Sequence, residues 1–188
     1  MYKRCTTEAT TQRQRMLEHC LLDLLNSNSY DHITVGDICA SANVPRGMFY
    51  RYFDSKKDAL DALIDHTLLE YMITIDFAEE SQSEDSLGMR KLLLYWKSQK
   101  SLLDALKRNH METLLFERSI RYCTVDEPIL SRHLKLAGNS ADMEVVAFCI
   151  NGVISSIFVW YESGFAKPIE EMAQILLKLL TGPIVSPK

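Results

Sequence analysis

No two of this chain's five cysteines stand at a C-x-x-C spacing, and the number is odd. Cys5, Cys20, Cys39, Cys123 and Cys149 lie far apart, which excludes a metal finger and a disulfide framework. Cys20, Cys39 and Cys149 fall on apolar helical faces, where a buried, inert thiol is the usual case; such usage fits a reducing cytosol. Long apolar runs are missing too. The longest uncharged stretch, Val145 to Tyr161, has 17 residues and includes Asn151, Gly152, Ser155 and Ser156. A membrane span needs about twenty predominantly apolar residues, so a buried helix is the better reading and no membrane partner is expected. The N-terminus is polar from Lys3 to Arg15, without the pattern of a signal peptide, and a cytoplasmic location is expected. No Ser/His/Asp order, G-x-S-x-G, phosphate loop or H-E-x-x-H is present, so neither an enzyme nor a cofactor is expected. His19, His32, His66, His110 and His133 are scattered. His66 and Glu70 share a helix face at i,i+4, but two ligands are lacking for a zinc site, and no metal is expected.

Period-two alternation and internal repeats are absent as well, and what remains is helical. At 188 residues and 47% hydrophobic composition, the chain has ample material for a buried core. The first ten or so residues read as a frayed polar arm. From Thr11, the positions Met16, Leu17, Cys20, Leu21, Leu24 and Leu25 form an amphipathic helix that Asn26-Ser27-Asn28-Ser29 ends. Asp54-Ser55 caps a helix opening at Lys56, periodic through Ala59, Leu60, Leu63, Ile64, Leu68, Tyr71, Met72 and Ile75. Glu79 to Ser86 is polar and acidic, the best boundary candidate. Helices are then expected over Leu87 to about Lys107, Met111 to Tyr122, a short segment from Asp126 to near Lys135, Asp142 to Glu162, and from Pro168 onward.

The stretch Ile33 to Leu60 is the most informative. Thr34 is a good N-cap with Asp37 three residues on, an acidic variant of the capping box. Asn43-Val44-Pro45 breaks that first short helix, since the residue before Pro is pushed out of the α region. A second short helix starts at Pro45 or Arg46 and carries Arg46, Gly47, Met48, Phe49, Tyr50, Arg51, Tyr52 and Phe53. Helix, tight turn, then a basic and aromatic helix is the geometry of a helix-turn-helix whose second helix enters the DNA major groove. Net charge is −4, which does not advertise a nucleic-acid binder. Residues 43 to 57, however, carry four basic side chains and one acidic, a local +3, whereas residues 66 to 188 carry 13 basic and 16 acidic. A basic patch on a mildly acidic body suits contact with DNA at one face.

These residues resemble the N-terminal DNA-binding domain of the TetR family of transcriptional regulators. The pattern is carried by Thr34, Val44, Gly47, Tyr50, Phe53 and Lys56, unbroken within roughly residues 10 to 65. Two positions depart from it. Asn43 stands where the family usually has Gly, and Asn also tolerates a left-handed conformation. Pro45 stands where Ser or Thr often caps the recognition helix, and Pro has no side-chain oxygen. On this resemblance Thr34, Tyr50 and Lys56 are expected at phosphates, and Arg46, Gly47, Met48 and Phe49 at the groove floor. Arg46 is the base-edge hydrogen-bonder of the set, with guanine its natural partner. Phe49 and Phe53 stand i,i+4, and one of them is a candidate for the core.

The helix from Asp142 to Glu162 is apolar over most of its circumference, more than one monomer face needs. TetR-like proteins pair through their last two helices, so a homodimer is expected, with Cys149, Val153, Ile157, Met172, Leu176 and Leu180 at the interface. Phe148 to Phe165 also resembles the C-terminal domain of a DhaS-like TetR subgroup. The aromatic set Tyr71, Tyr95, Trp96, Phe116 and Trp160, with His110, is read either as core or as a mostly apolar effector pocket. Phe77 and Tyr122 belong to the same set.

The expected protein is therefore all-α. A helix-turn-helix DNA-binding domain spans residues 1 to 56, with the helix from 56 as connector, and a helical effector-binding and dimerisation domain spans 57 to 188. Its partners would be a pseudo-palindromic double-stranded operator, a second copy of itself, and a small-molecule or protein effector. Repression is the default sign. The alternatives are an activator that needs a protein partner, and a helical binding protein that keeps the fold without DNA.

Overall fold

The computed structural model describes residues 7–76, 85–121 and 143–181, together with positions 2, 3 and 5. The fold is all-α. The helices are α1 (Glu8–Ser27), α2 (Val35–Ser41), α3 (Arg46–Phe49), α4 (Lys56–Asp76), α5 (Asp85–Ser98), α6 (Lys100–Arg108), α7 (Glu112–Arg121), α8 (Met143–Glu162) and α9 (Ile169–Thr181), with a 3₁₀ turn at Tyr30–His32. The expected short segment near Asp126 to Lys135 lies outside the described residues, as do Phe77 and Tyr122. So does all of the acidic boundary run but its last two residues, which open α5.

Two compact units result. One comprises residues 1–67 and 101–118, the other 68–100 and 119–188. This division by packing is drawn differently from a boundary at residue 56, because the first half of α4, α6 and most of α7 complete the N-terminal core. In that unit Leu17, Leu21 and Leu25 of α1, Ile38 of α2, and Leu60 and Ile64 of α4 are fully buried, joined by Leu102, Leu103 and Leu106 of α6. Asn109 closes one corner. Its Oδ1 accepts from the Tyr30 N–H at 2.7 Å, and its Nδ2 donates to the carbonyls of Leu25 and Ala105.

Among the first ten residues, the described ones are held in place rather than frayed as their polarity suggests. Thr7 and Thr10 form a capping box at the start of α1, and residues 2 and 3 hydrogen-bond to distant parts of the unit. Another expectation is corrected between Leu87 and Lys107, where one helix becomes two. The Gln99 N–H is shared between the carbonyls of Tyr95 and Trp96, and the Ser98 hydroxyl donates to Tyr95 O at 2.6 Å. Such competing bonds tighten and end a helix without glycine or proline.

In the second unit α5 packs against α9, and Met89, Leu93 and Trp96 of the first and Met172, Ala173 and Leu176 of the second are buried. An exposed Arg90–Glu170 ion pair at 3.0 Å spans the same pair of helices. α8 ends in a turn with positive φ at Gly164 (70°) and Phe165 (57°). That turn is pinned by Trp160 Nε1 donating to Lys167 O at 2.9 Å and by the edge-on Trp160–Phe165 contact at 4.8 Å.

Candidate nucleic-acid interface

The turn between α2 and α3 sets the geometry. Asn43 has φ 51°, and the Val44 and Asn43 N–H groups donate to the carbonyls of Cys39 and Ala40. This is a Schellman closure with Asn in the left-handed position usually given to Gly. Pro45 then stands at the N-cap of α3 with extended backbone and no side-chain cap. The helix that follows is a single turn, too short to hold itself. Its anchor is aromatic: Phe49 and Phe53 are fully buried, with ring centroids 5.2 Å apart.

Phe49 is therefore core, which corrects its expected place at the groove floor. No face of it is left for a base. The rest of α3 does point outward: Arg46 and Gly47 are exposed, Met48 is half-buried, and Tyr50 is 50% exposed with its ring edge-on to Phe49. A methyl added to Gly47 would meet nothing within 4 Å, so this surface is open to close approach.

Arg46 lies back across the first turn of α2. A methyl at Gly36 would come within 2.5 Å of Arg46 Nη2 and 3.3 Å of Thr34 Oγ1. Gly36 thus leaves room for the guanidinium, a role for which the sequence offered only the presence of a glycine in a short helix. Beneath it the capping box is complete. Asp37 Oδ2 accepts from the Thr34 N–H at 2.8 Å and from the Thr34 hydroxyl at 2.7 Å, while Thr34 Oγ1 accepts from Asp37 N at 3.2 Å. The donating Thr34 hydroxyl, then its backbone N–H, hold the Asp37 carboxyl below the usual carboxylate range, with Arg46 adding a smaller push. Thr34 already uses its proton inside the protein, so a phosphate would have to compete with Asp37 for it.

Lys56 is similarly occupied. Its ammonium donates to the carbonyls of Tyr30 (2.7 Å), Ile33 (2.9 Å) and Asp31 (3.3 Å), and sits 4.3 Å from the Tyr30 ring centroid. A lysine has three donors, and all three are engaged. Lys56 ties the 3₁₀ turn to the start of α4. That start is capped by Ser55 Oγ, which accepts from Asp58 N at 3.1 Å, and by Asp54 N donating to the Asp58 carboxylate.

Among the expected interface residues Cys149, Ile157, Met172 and Leu176 are buried within the chain, and Val153 and Leu180 are half-buried. The buried four are largely enclosed by the chain's own packing. The exposed apolar residues lie elsewhere on the same helices: Val145 (45%), Phe148 (63%) and Val159 (68%) on α8, and Ile175 (36%) and Leu179 (60%) on α9. Of the aromatic set, Tyr71 and Tyr95 meet at 5.5 Å and Tyr95 stacks edge-on against Trp96. Trp96 and Trp160 are buried. His110 and Phe116 belong to the other compact unit, and His110 closes α6 with φ 55°.

Burial raises the thiols of Cys39 and Cys149 above their ordinary range, so both are poor nucleophiles. His66 pairs with the buried Glu18 at 2.9 Å. Among the described residues no three potential ligands converge on a metal site, and no helix is long and apolar enough to cross a membrane.

Residues 22–63 match the family described as bacterial regulatory proteins, tetR family. A relative from Lactococcus lactis subsp. lactis (strain IL1403), the HTH-type dhaKLM operon transcriptional activator DhaS, is 32% identical over 82 residues. That match covers 43% of this chain and 39% of the relative, well under half its length. Two solved structures share the fold at low identity. Lin0861 from Listeria innocua has a TM-score of 0.71 at 16% identity, covering 94% of each chain. The fatty acid degradation regulator FadR from Bacillus halodurans has a TM-score of 0.66 at 14% identity, covering 96% of this chain and 98% of that one.

Proposed function

We propose that this chain, whose residues 22–63 match the tetR family of bacterial regulatory proteins, binds a pseudo-palindromic operator as a homodimer. The observation that carries the reading is the surface of α3, where Arg46, Gly47 and Tyr50 are exposed above the buried Phe49–Phe53 pair. Arg46 reads a base edge, guanine by preference. Tyr50 contacts the phosphate backbone. The second copy docks on the exposed apolar residues of α8 and α9.

Control comes from the second unit. α4 belongs to both units, residues 56–67 to one and 68–76 to the other, so a shift of α4 reaches the DNA-reading end. An effector that couples to operator binding by only about 2 kcal/mol changes affinity about thirtyfold. The Tyr71–Tyr95 pair is the proposed edge of an apolar effector site, and a partner protein is the other candidate effector. Repression by occupying the operator is the proposed sign. The relative named as an activator favours a second reading, activation with a partner protein.

The test is a binding titration on duplexes drawn from the region upstream of its own gene. Arg46→Ala is expected to relax base preference at one position, with a loss of about 1–3 kcal/mol on the preferred site. Tyr50→Ala is expected to weaken all sequences alike. If neither variant alters binding, the proposed contacts are wrong. A reporter assay with and without the protein decides between repression and activation.

A further inference from the structure

The first residues of the chain are tied to the end of the recognition helix. The Lys3 N–H donates to Tyr52 O at 2.9 Å, and the Lys3 ammonium donates to Tyr50 O at 3.1 Å. The Lys3 carbonyl in turn accepts from Nε2 of Gln14, a residue only 1% exposed on α1, at 3.2 Å. One residue earlier, the Tyr2 hydroxyl donates to Asp65 Oδ2 at 2.8 Å, and the Tyr2 ring stands edge-on to His66 at 5.5 Å. Asp65 is itself held by Arg118 of α7, whose Nε donates to Oδ1 at 2.6 Å and whose Nη2 donates to Oδ2. Burial, then the hydrogen bond to Asp65, push the Tyr2 hydroxyl far above the usual phenol range.

Two consecutive residues here make four hydrogen bonds to three different parts of the unit. The bonds fall where α3 is weakest. A one-turn helix does not hold itself, and its last carbonyls have no partner inside the helix. The start of α3 is fixed by the Schellman turn and its underside by Phe49 and Phe53. At its end, Lys3 satisfies the carbonyls of Tyr50 and Tyr52, placing a cation where a helix C-terminus favours one.

We infer that Tyr2 and Lys3 form a strap that positions the recognition helix for DNA, with Lys3 acting through Tyr50 rather than on phosphate. This rests on the DNA-binding reading above and names two further residues for it. Asp65 is the strap's anchor, and α7 shares that anchor through Arg118.

Three variants of the full chain test it: Lys3→Ala, Lys3→Arg and Tyr2→Phe. Amide hydrogen exchange on the DNA-free protein reads the strap directly. Exchange at residues 50–53 is expected to speed up about twofold to tenfold in Lys3→Ala and Tyr2→Phe, the scale of one lost hydrogen bond. Lys3→Arg is expected to stay near wild type, and unchanged exchange in the first two variants would overturn the strap. Binding is then titrated over a salt series against a duplex that the wild-type protein selects from a random-sequence pool. Affinity is expected to fall by a similar factor in Lys3→Ala and Tyr2→Phe, with the salt slope unchanged and Lys3→Arg restoring binding. A slope smaller by about two units in Lys3→Ala, one for each copy, would make Lys3 a direct phosphate contact and overturn the positioning role. Faster exchange with unaltered affinity would overturn it equally. If the wild-type protein selects no duplex, the DNA-binding reading fails, while the exchange measurement still accepts or rejects the strap.

Discussion

Lys56 illustrates how a residue type can be legible while its role is not. A lysine opening the helix after a helix-turn-helix reads as a phosphate contact, because its charge and position both suit one. Its ammonium is instead surrounded by the carbonyls of Tyr30, Asp31 and Ile33, groups that no side-chain pattern reveals. Thr34 and Phe49 follow the same logic. The capping box was readable from Thr34 and Asp37, but the direction of the Thr34 proton was not. The i,i+4 pair of phenylalanines announced a buried aromatic without saying that both were inside. Lys56→Ala should therefore act first on stability. Hydrogen bonds to a charged donor are worth about 1.5–3 kcal/mol, so a loss near 2 kcal/mol and a fall in Tm of about 4–8 °C are expected. Thermal unfolding measures this, alongside a salt titration of DNA binding. An unchanged Tm with a salt slope smaller by about two units, one for each copy, would return Lys56 to the phosphate.

Helix α8 was recognisable as an element apolar over most of its circumference. Which side meets the partner was beyond a periodicity argument, because apolar residues occur around most of the circumference. Burial within the chain separates two sides of the helix, and the exposed side is the one proposed for the partner. Ile150, Ile154, Ile157 and Trp160 turn inward, whereas Val145, Phe148, Gly152, Ser155 and Val159 are exposed. Those five recur at intervals of three and four, one continuous helical stripe. Exposed Phe and Val in such a row are unusual on a monomer, and Gly152 with no atom within 4 Å of an added methyl leaves that space open. Phe148→Asp and Val159→Asp are each expected to shift the protein from dimer to monomer in sedimentation or light scattering while keeping the helical signal. Cys149→Ser and Ile157→Ala are expected to lower Tm without changing the dimer's dissociation. If the aspartate variants sediment like wild type, the second copy docks elsewhere. The break at Gln99 belongs to this scale as well. It arises from a serine hydroxyl and a shared amide, and neither leaves a helix-ending signal in sequence.

For the molecule as a whole, net charge and function point in opposite directions, and the arrangement of charge reconciles them. A chain at −4 is not drawn to DNA in bulk, and residues 66 to 188 are acidic on balance. On the proposed reading, attraction would come from the small basic segment around α3, and each protomer would contribute only a few phosphate contacts. Counterion release makes log K fall with log salt at about 0.9 per contact. Two DNA-reading units bound together should then show twice the slope of one. Wild type and Phe148→Asp, titrated on the same duplex over a salt series, are expected to differ in slope by about a factor of two, as well as in affinity. Arg46→Ala should lower the slope in the dimer by up to about two units, one for each copy, only if the guanidinium touches phosphate. A purely base-reading Arg46 leaves it nearly unchanged. Equal slopes for the dimer and the monomeric variant would mean that one unit does all the binding, and the pseudo-palindromic operator would be lost with the second.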